Sequence, residues 1–130
     1  MDVKYSSLDH KYDFLEMRRN LPEQYRFSKE CLSVIFLMAG NKELNQKLTP
    51  YFEGDKGEFE TEKMFEEQEF CSSDLKTLAQ LAVSLFNTNK RIDAQKLISL
   101  GKENFDLAIN AIVLRKEGIS TGYHKNSESF

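Results

Sequence analysis

The sequence predicts an all-α fold: a single compact domain of about five helices, with antiparallel and orthogonal packing around a central helix over 72–87. Three observations carry this prediction. Leu75, Leu78, Ala79, Ala82 and Phe86 recur at helical spacing, and Leu81 and Leu85 widen the stripe. Short polar residues that accept first-turn N–H groups stand ahead of the apolar segments: Ser6, Asn41, Ser72 or Ser73, and Asp93. A chain of 130 residues that is 40% hydrophobic and 30% charged is globular rather than disordered and fills one domain. The helical domain is expected over 1–117 and a flexible C-terminal tail over 118–130.

The first helix is expected to begin at Ser6-Ser7-Leu8-Asp9-His10, where Ser6 and Asp9 have capping-box spacing with Asp in place of Glu. Leu8, Tyr12 and Leu15 then share one face, which Phe14 and Met17 extend. Asn20-Leu21-Pro22 breaks the helix, and Pro22 suits the first turn of the next, where its missing N–H costs nothing. That second helix is expected over 22–39. Its half over 31–39 is apolar nearly all round, as in a helix surrounded by others, and Gly40 follows as a C-terminal stop. Asn41 caps a short third helix whose face Leu44, Leu48 and Phe52 share, and Thr49-Pro50 ends or interrupts it.

The stretch 53–69 is the least regular. Gly54 and Gly57 make a turn, and a short helix over 61–68 is expected with Thr61 as its cap. Met64, Phe65 and Phe70 tack the stretch onto the core. The central helix follows, with Ser72 or Ser73 as cap and Asp74 at the positive end of its dipole. Asn87-Thr88-Asn89-Lys90 turns the chain. Asp93 caps a short helix bearing Leu97 and Leu100, and Gly101 separates it from the last helix, over 102–116. There Phe105, Ala108, Ile109 and Ile112 form the stripe, with Leu107, Ala111 and Leu114 beside it.

Composition narrows the function classes. A formal net charge of −3 argues against a nucleic-acid binder that relies on the field of the whole molecule. The cysteines, Cys31 and Cys71, form neither a disulfide framework nor a C-x-x-C pair, which fits a reducing compartment. The N-terminus has no apolar signal core, and the longest apolar run, 34–39, is far short of the roughly 20 residues of a membrane span. A cytoplasmic protein with no membrane partner is therefore expected. There is no glycine-rich phosphate loop and no metal motif of the H-E-x-x-H or paired-cysteine kind, so neither a cofactor nor a metal is expected. The histidines are His10, read as a surface or hydrogen-bonding residue, and His124 in the tail. A nucleophile pair of His10 with Cys31 or Cys71 needs tertiary proximity and a third orienting group, which no local signature supplies. An enzyme is not the expectation.

The candidate contact surface is the acidic stretch. Eight carboxylates over 53–69 face only Lys56 and Lys63, and the D-x-D-x-D-G pattern of a cation-binding loop is absent. Glu58, Glu60, Glu62, Glu66, Glu67 and Glu69, with Phe59 and Phe65 as exposed aromatics, are the residues expected to meet a protein partner. Such a face fits a basic groove on another protein by electrostatic complementarity. The alternative is a nucleic-acid-binding regulator using a helix-turn-helix-like segment over 31–48, in which Lys42, Asn45, Gln46 and Lys47 reach base edges and phosphates. The basic cluster of Arg18, Arg19, Arg26 and Lys29 reads as a solvated, salt-bridged surface. A homodimer is a further option, since a helix with apolar residues on several faces can be covered by a second copy.

Three stretches together, Leu8-Asp9-His10-Lys11-Tyr12, Leu81-Ala82-Val83-Ser84-Leu85-Phe86-Asn87 and Ala108-Ile109-Asn110-Ala111-Ile112-Val113-Leu114-Arg115, are similar in order and spacing to a family of small uncharacterised helical proteins. That family occurs in low-GC Gram-positive bacteria and their prophages and mobile elements. The chain departs from it at Phe70-Cys71-Ser72-Ser73, where the family has a tryptophan-containing lead into the central helix. The resemblance implies an all-α fold and a bacterial or phage origin, and supplies no activity. Together these readings point to a small regulatory or protein-interaction protein.

Overall fold

The computed structural model of the chain describes residues 3–119. Among them the helices are α1 (Leu8–Arg19), α2 (Lys29–Gly40), α3 (Lys42–Leu48), α4 (Thr61–Glu67), α5 (Ser73–Phe86), α6 (Ala94–Ile98) and α7 (Lys102–Glu117). A 3₁₀ turn at Glu23–Tyr25 precedes α2, and a two-stranded hairpin of β1 (Phe52–Glu53) and β2 (Glu58–Phe59) separates α3 from α4. The molecule is mostly helical, as predicted. About five helices become seven once the short α4 and α6 are counted. The hairpin is the one element with no counterpart in the sequence reading: its two-residue strands are too short to show an alternating pattern.

The centre belongs to α2 rather than to α5. Residues 31–38 are all buried, and α1, α3, α5 and α7 all pack on this helix. A segment apolar on every side must be surrounded, because any face left out would keep oily surface in water. Ser33 tolerates full burial because its Oγ donates to the Glu30 carbonyl, 3.0 Å away. Helix α5 lies beside α2, touches α3 and α7, and buries Leu75, Leu78, Ala79, Leu81, Ala82 and Val83.

Several boundaries and faces differ from expectation. Ser7, not Ser6, caps α1, accepting the His10 N–H at 3.1 Å. The expected face is turned outward: Leu8 and Tyr12 are 71% and 65% exposed, while His10 and Phe14 are buried. The buried face is the one that completes an aromatic cluster. Tyr5, His10, Phe14 and Phe36 meet with ring centroids 4.5–5.9 Å apart. The helix expected over 22–39 begins only at Lys29, because Ser28 Oγ accepts the Cys31 N–H and starts α2 there. The residues before it form a knot of backbone carbonyls held by guanidinium groups. Arg18 Nε donates to Arg26 O at 2.7 Å, and Arg26 donates to Leu21 O and Arg19 O. Arg18 and Arg26 are therefore structural clamps, not a solvated salt-bridged surface. Among the described residues Arg19 alone of that cluster pairs with an acid, Glu16, and Lys29 reaches the Lys116 carbonyl.

Gly40 does not end α2 through a left-handed residue; it is the last helical residue, followed by an extended Asn41. Its small size is needed sideways, since a Cβ there would collide with the Leu107 side chain of α7. On α7 the buried stripe is Leu107, Ala108, Ala111 and Leu114, with Phe105, Ile109 and Ile112 at its margin. Alanines at the contact let α7 lie close on α2. Asn41, Ser72 and Asp93 cap α3, α5 and α6 as expected. Thr61 is the first residue of α4 rather than its cap; Glu60 stands in the cap position without a side-chain bond. No described helix is long and apolar enough to cross a membrane. Of the expected tail over 118–130, only Gly118 and Ile119 are described, so the tail reading and His124 lie outside the described residues.

Candidate functional site

The acidic stretch folds as one unit. Its backbone reverses through Gly57, at φ +64°, where a side chain would also strike the Tyr25 ring. The hairpin register places Phe52 opposite Phe59 and Glu53 opposite Glu58. The phenylalanine pair is the anchor. Phe52, Phe59 and Phe86 form a three-ring cluster with centroids 5.5–5.9 Å apart, fastening the hairpin to the end of α5. Helix α4 is fastened through Met64, which is fully buried, and through Phe65, whose ring lies 5.9 Å from that of Phe70.

Two expectations about this surface change as a result. Phe59 and Phe65 are half-buried and packed against the core, so neither is an exposed aromatic waiting for a partner. Glu67 is tied down as well: its Oε1 accepts the Tyr51 hydroxyl at 2.8 Å, and Gln68 Nε2 donates to the same hydroxyl at 3.0 Å. Tyr51 is the residue that sequence reasoning missed. It is 4% exposed, its carbonyl accepts the Glu60 N–H, and its hydroxyl locks the end of α4, so one side chain joins hairpin to helix. An aromatic just after Thr49-Pro50 was the available signal. Tyr25 was missed too; its hydroxyl donates to Lys56 O at 3.2 Å and supports the turn from below.

The remaining acids stay outside. Glu58, Glu60, Glu62, Glu66 and Glu69 are exposed, and none has an ion-pair partner among the described residues. Glu53 and Glu58 face each other across the hairpin, an arrangement of like charges that weakens a strand pair. Lys56 in the turn registers their field. A hydrogen bond to Glu53, then the charges of Glu53, Asp55 and Glu58, hold its ammonium above its ordinary pKa.

An open groove of about 700 Å³ runs between α4 and α5, lined by Phe65, Gln68, Glu69, Phe70, Cys71, Lys76 and Gln80. A smaller one continues past Phe65 and Gln80 toward Lys90, Arg91 and Lys96. The two grooves are thus lined by the cations Lys76, Lys90, Arg91 and Lys96 together with the acids Glu69 and Asp93.

The other candidate segments are placed as follows. Helices α2 and α3 are joined by Asn41 alone, which ends one and caps the other, whereas a helix-turn-helix uses a turn of three or four residues. The outer side of the seven-residue α3 presents Lys42 and Gln46 with Glu43 between them. His10 has both ring nitrogens engaged by backbone: Nδ1 accepts the Ser6 N–H at 2.9 Å, so Nε2 carries the proton and donates to Phe36 O at 2.9 Å. Burial holds its pKa below the ordinary value, against smaller opposing effects of the Phe36 carbonyl and Asp13. Cys31 is buried, with its thiol pKa pushed up by desolvation. Cys71 is exposed, its Sγ 3.4 Å from Glu43 Oε2. Neither cysteine is hydrogen-bonded to His10. Among the described residues no three His, Cys, Asp or Glu side chains gather where a metal ion could be held.

Comparison of the chain with protein-family models, curated proteins and solved structures finds no match, so the family resemblance rests on 8–12, 81–87 and 108–115 alone.

Proposed function

We propose that this is a small, non-enzymatic, cytosolic interaction or regulatory protein that docks a basic surface of a partner protein on the hairpin–α4 face. The observation that supports this reading most is the row Glu58, Glu60, Glu62, Glu66 and Glu69, exposed on a rigidly anchored scaffold and without ion pairs among the described residues. Like charges held together cost folding stability. A cationic partner recovers that energy and gains a fast, steered encounter. Phe59, Phe65 and Tyr51 belong to this reading as the scaffold that fixes the carboxylates, while Glu67 braces Tyr51. Two unpaired cysteines, one of them exposed, fit a reducing compartment. The bacterial or mobile-element origin implied by the resemblance is part of the same proposal.

The test is affinity capture with the tagged protein, before and after nuclease treatment, beside a Glu62→Gln/Glu66→Gln/Glu69→Gln variant. A stoichiometric protein that survives nuclease, is released by salt and is bound at least about tenfold more weakly by the variant supports the reading. Equal capture by both proteins overturns it. Recovery that depends on nucleic acid and is lost in Lys42→Glu or Lys47→Glu moves the assignment to the alternative, a nucleic-acid-binding regulator using 31–48.

A further inference from the structure

Helix α1 has two apolar faces, and the molecule covers one of them. The inner face, with His10 and Phe14, lies on α2. The outer face carries Leu8 and Tyr12, the most exposed large apolar side chains of the helix, with half-buried Leu15 continuing the line. Steps of four and then three residues put these side chains on the seam of a two-helix coiled coil. The residues flanking the seam are sorted by charge. Asp9 and Glu16 lie on one side, Lys11 and Arg18 on the other. Two such helices side by side and parallel bring the acidic flank of each against the basic flank of the other, and the heptad spacing matches Lys11 of one with Glu16 of its mate. An antiparallel pair would set acid against acid and base against base.

We propose that α1 forms a parallel two-fold seam with α1 of a second copy of this chain. Leu8 meets Leu8, Tyr12 meets Tyr12, and the Lys11–Glu16 pairs close both sides. The groups available at the seam are exposed: Lys11 rests 5.9 Å from the Tyr5 ring centroid, and Glu16 pairs with Arg19 in a solvent-exposed contact that exchanges at little cost. Arg18 stays in place on Arg26 O as a fixed positive charge beside the seam. Because α1 is already folded on α2, pairing orders no new helix. The seam is small by the standard of stable interfaces, so the dimer is a weak one that dissociates on dilution. This surface is separate from the acidic hairpin–α4 face, so either assignment can fail without the other.

Sedimentation equilibrium over a wide concentration range, with the intact chain, tests the seam. Wild type is expected to dimerise reversibly, Tyr12→Glu to remain monomeric, and Lys11→Glu and Glu16→Lys each to weaken association at least about tenfold. An equimolar mixture of the two charge variants restores dimers, because each then meets its complement. Leu8→Cys in a Cys71→Ser background cross-links on oxidation in the parallel register. All these positions are exposed, and circular dichroism checks that each variant is folded. A wild type that is monomeric throughout, charge variants that dimerise as wild type does, or a Leu8→Cys protein that dimerises but does not cross-link overturns the proposal.

Discussion

His10 is a polar ring 2% exposed inside an aromatic cluster. Its place is tolerated because both nitrogens are satisfied in one tautomer only. Protonating Nδ1 would point a second donor at the Ser6 N–H and would charge a buried ring. The folded-state pKa is therefore held below the ordinary 6.5, while the unfolded chain titrates near it. As pH falls through that range the unfolded chain binds a proton that the folded chain refuses, so stability present above about pH 6.5 is lost below it. Urea unfolding followed between about pH 7.5 and 5.5 should show this loss in wild type and not in His10→Gln, which should be less stable at the upper pH by about 1–3 kcal/mol. The sequence showed a histidine ready to hydrogen-bond. It could not show the burial, because Phe36 and Tyr5 reach the ring only once α1 lies on α2.

The clearest case at the scale of an element is the start of α2. The polar residues after Pro22 and the apolar run after Cys31 read as one continuous helix, yet the backbone curls through Glu23–Tyr25 and restarts at Lys29. Propensity favoured the merger, and the carbonyl bonds of Arg18 and Arg26 to the broken join decided against it. Because Ser28 is the cap, Ser28→Ala should lower unfolding free energy by about 1 kcal/mol, and Ser72→Ala should do the same at the start of α5, whereas Ser6→Ala should change it by much less. Denaturant midpoints of the three variants check this directly. Caps that rest on one short side chain next to its own helix, as at Asn41, Ser72 and Asp93, were legible because both partners are local in sequence. The hairpin was not, since what fastens its two-residue strands is Phe86, far along the chain.

Across the whole molecule, charge is distributed unevenly. The acids Glu58, Glu60, Glu62, Glu66 and Glu69 are exposed together, while Lys76, Lys90, Arg91 and Lys96, with Asp93 among them, line the two grooves. Glu62 and Glu66 stand one helical turn apart, where like charges repel. Replacing Glu62, Glu66 and Glu69 by Gln brings the formal charge from −3 to neutral. The triple variant should unfold at equal or higher urea than wild type, by up to about 0.5 kcal/mol, and the difference should shrink as salt screens the repulsion. Loss of partner binding together with unimpaired stability would separate a contact role for these acids from a structural one. Their existence was plain in the sequence; that Phe59, Phe65 and Glu67 serve the scaffold instead was not, because Phe86, Phe70 and Tyr51, respectively, hold them.

What the sequence determined by itself follows from interactions between near neighbours: the helical class, the caps at Asn41, Ser72 and Asp93, the turns at Pro22, Pro50 and Gly101, and a segment over 31–39 that had to be surrounded. Only the tertiary structure decided which of the two apolar faces of α1 is buried, where α2 begins, why Gly40 must be small and which acids remain free. Those outcomes depend on which helix lies against which. Periodicity marks every apolar face a helix has, whereas burial is awarded by the neighbour that arrives, and for α1 that neighbour was α2, with the Phe36 ring and carbonyl waiting for Phe14 and His10.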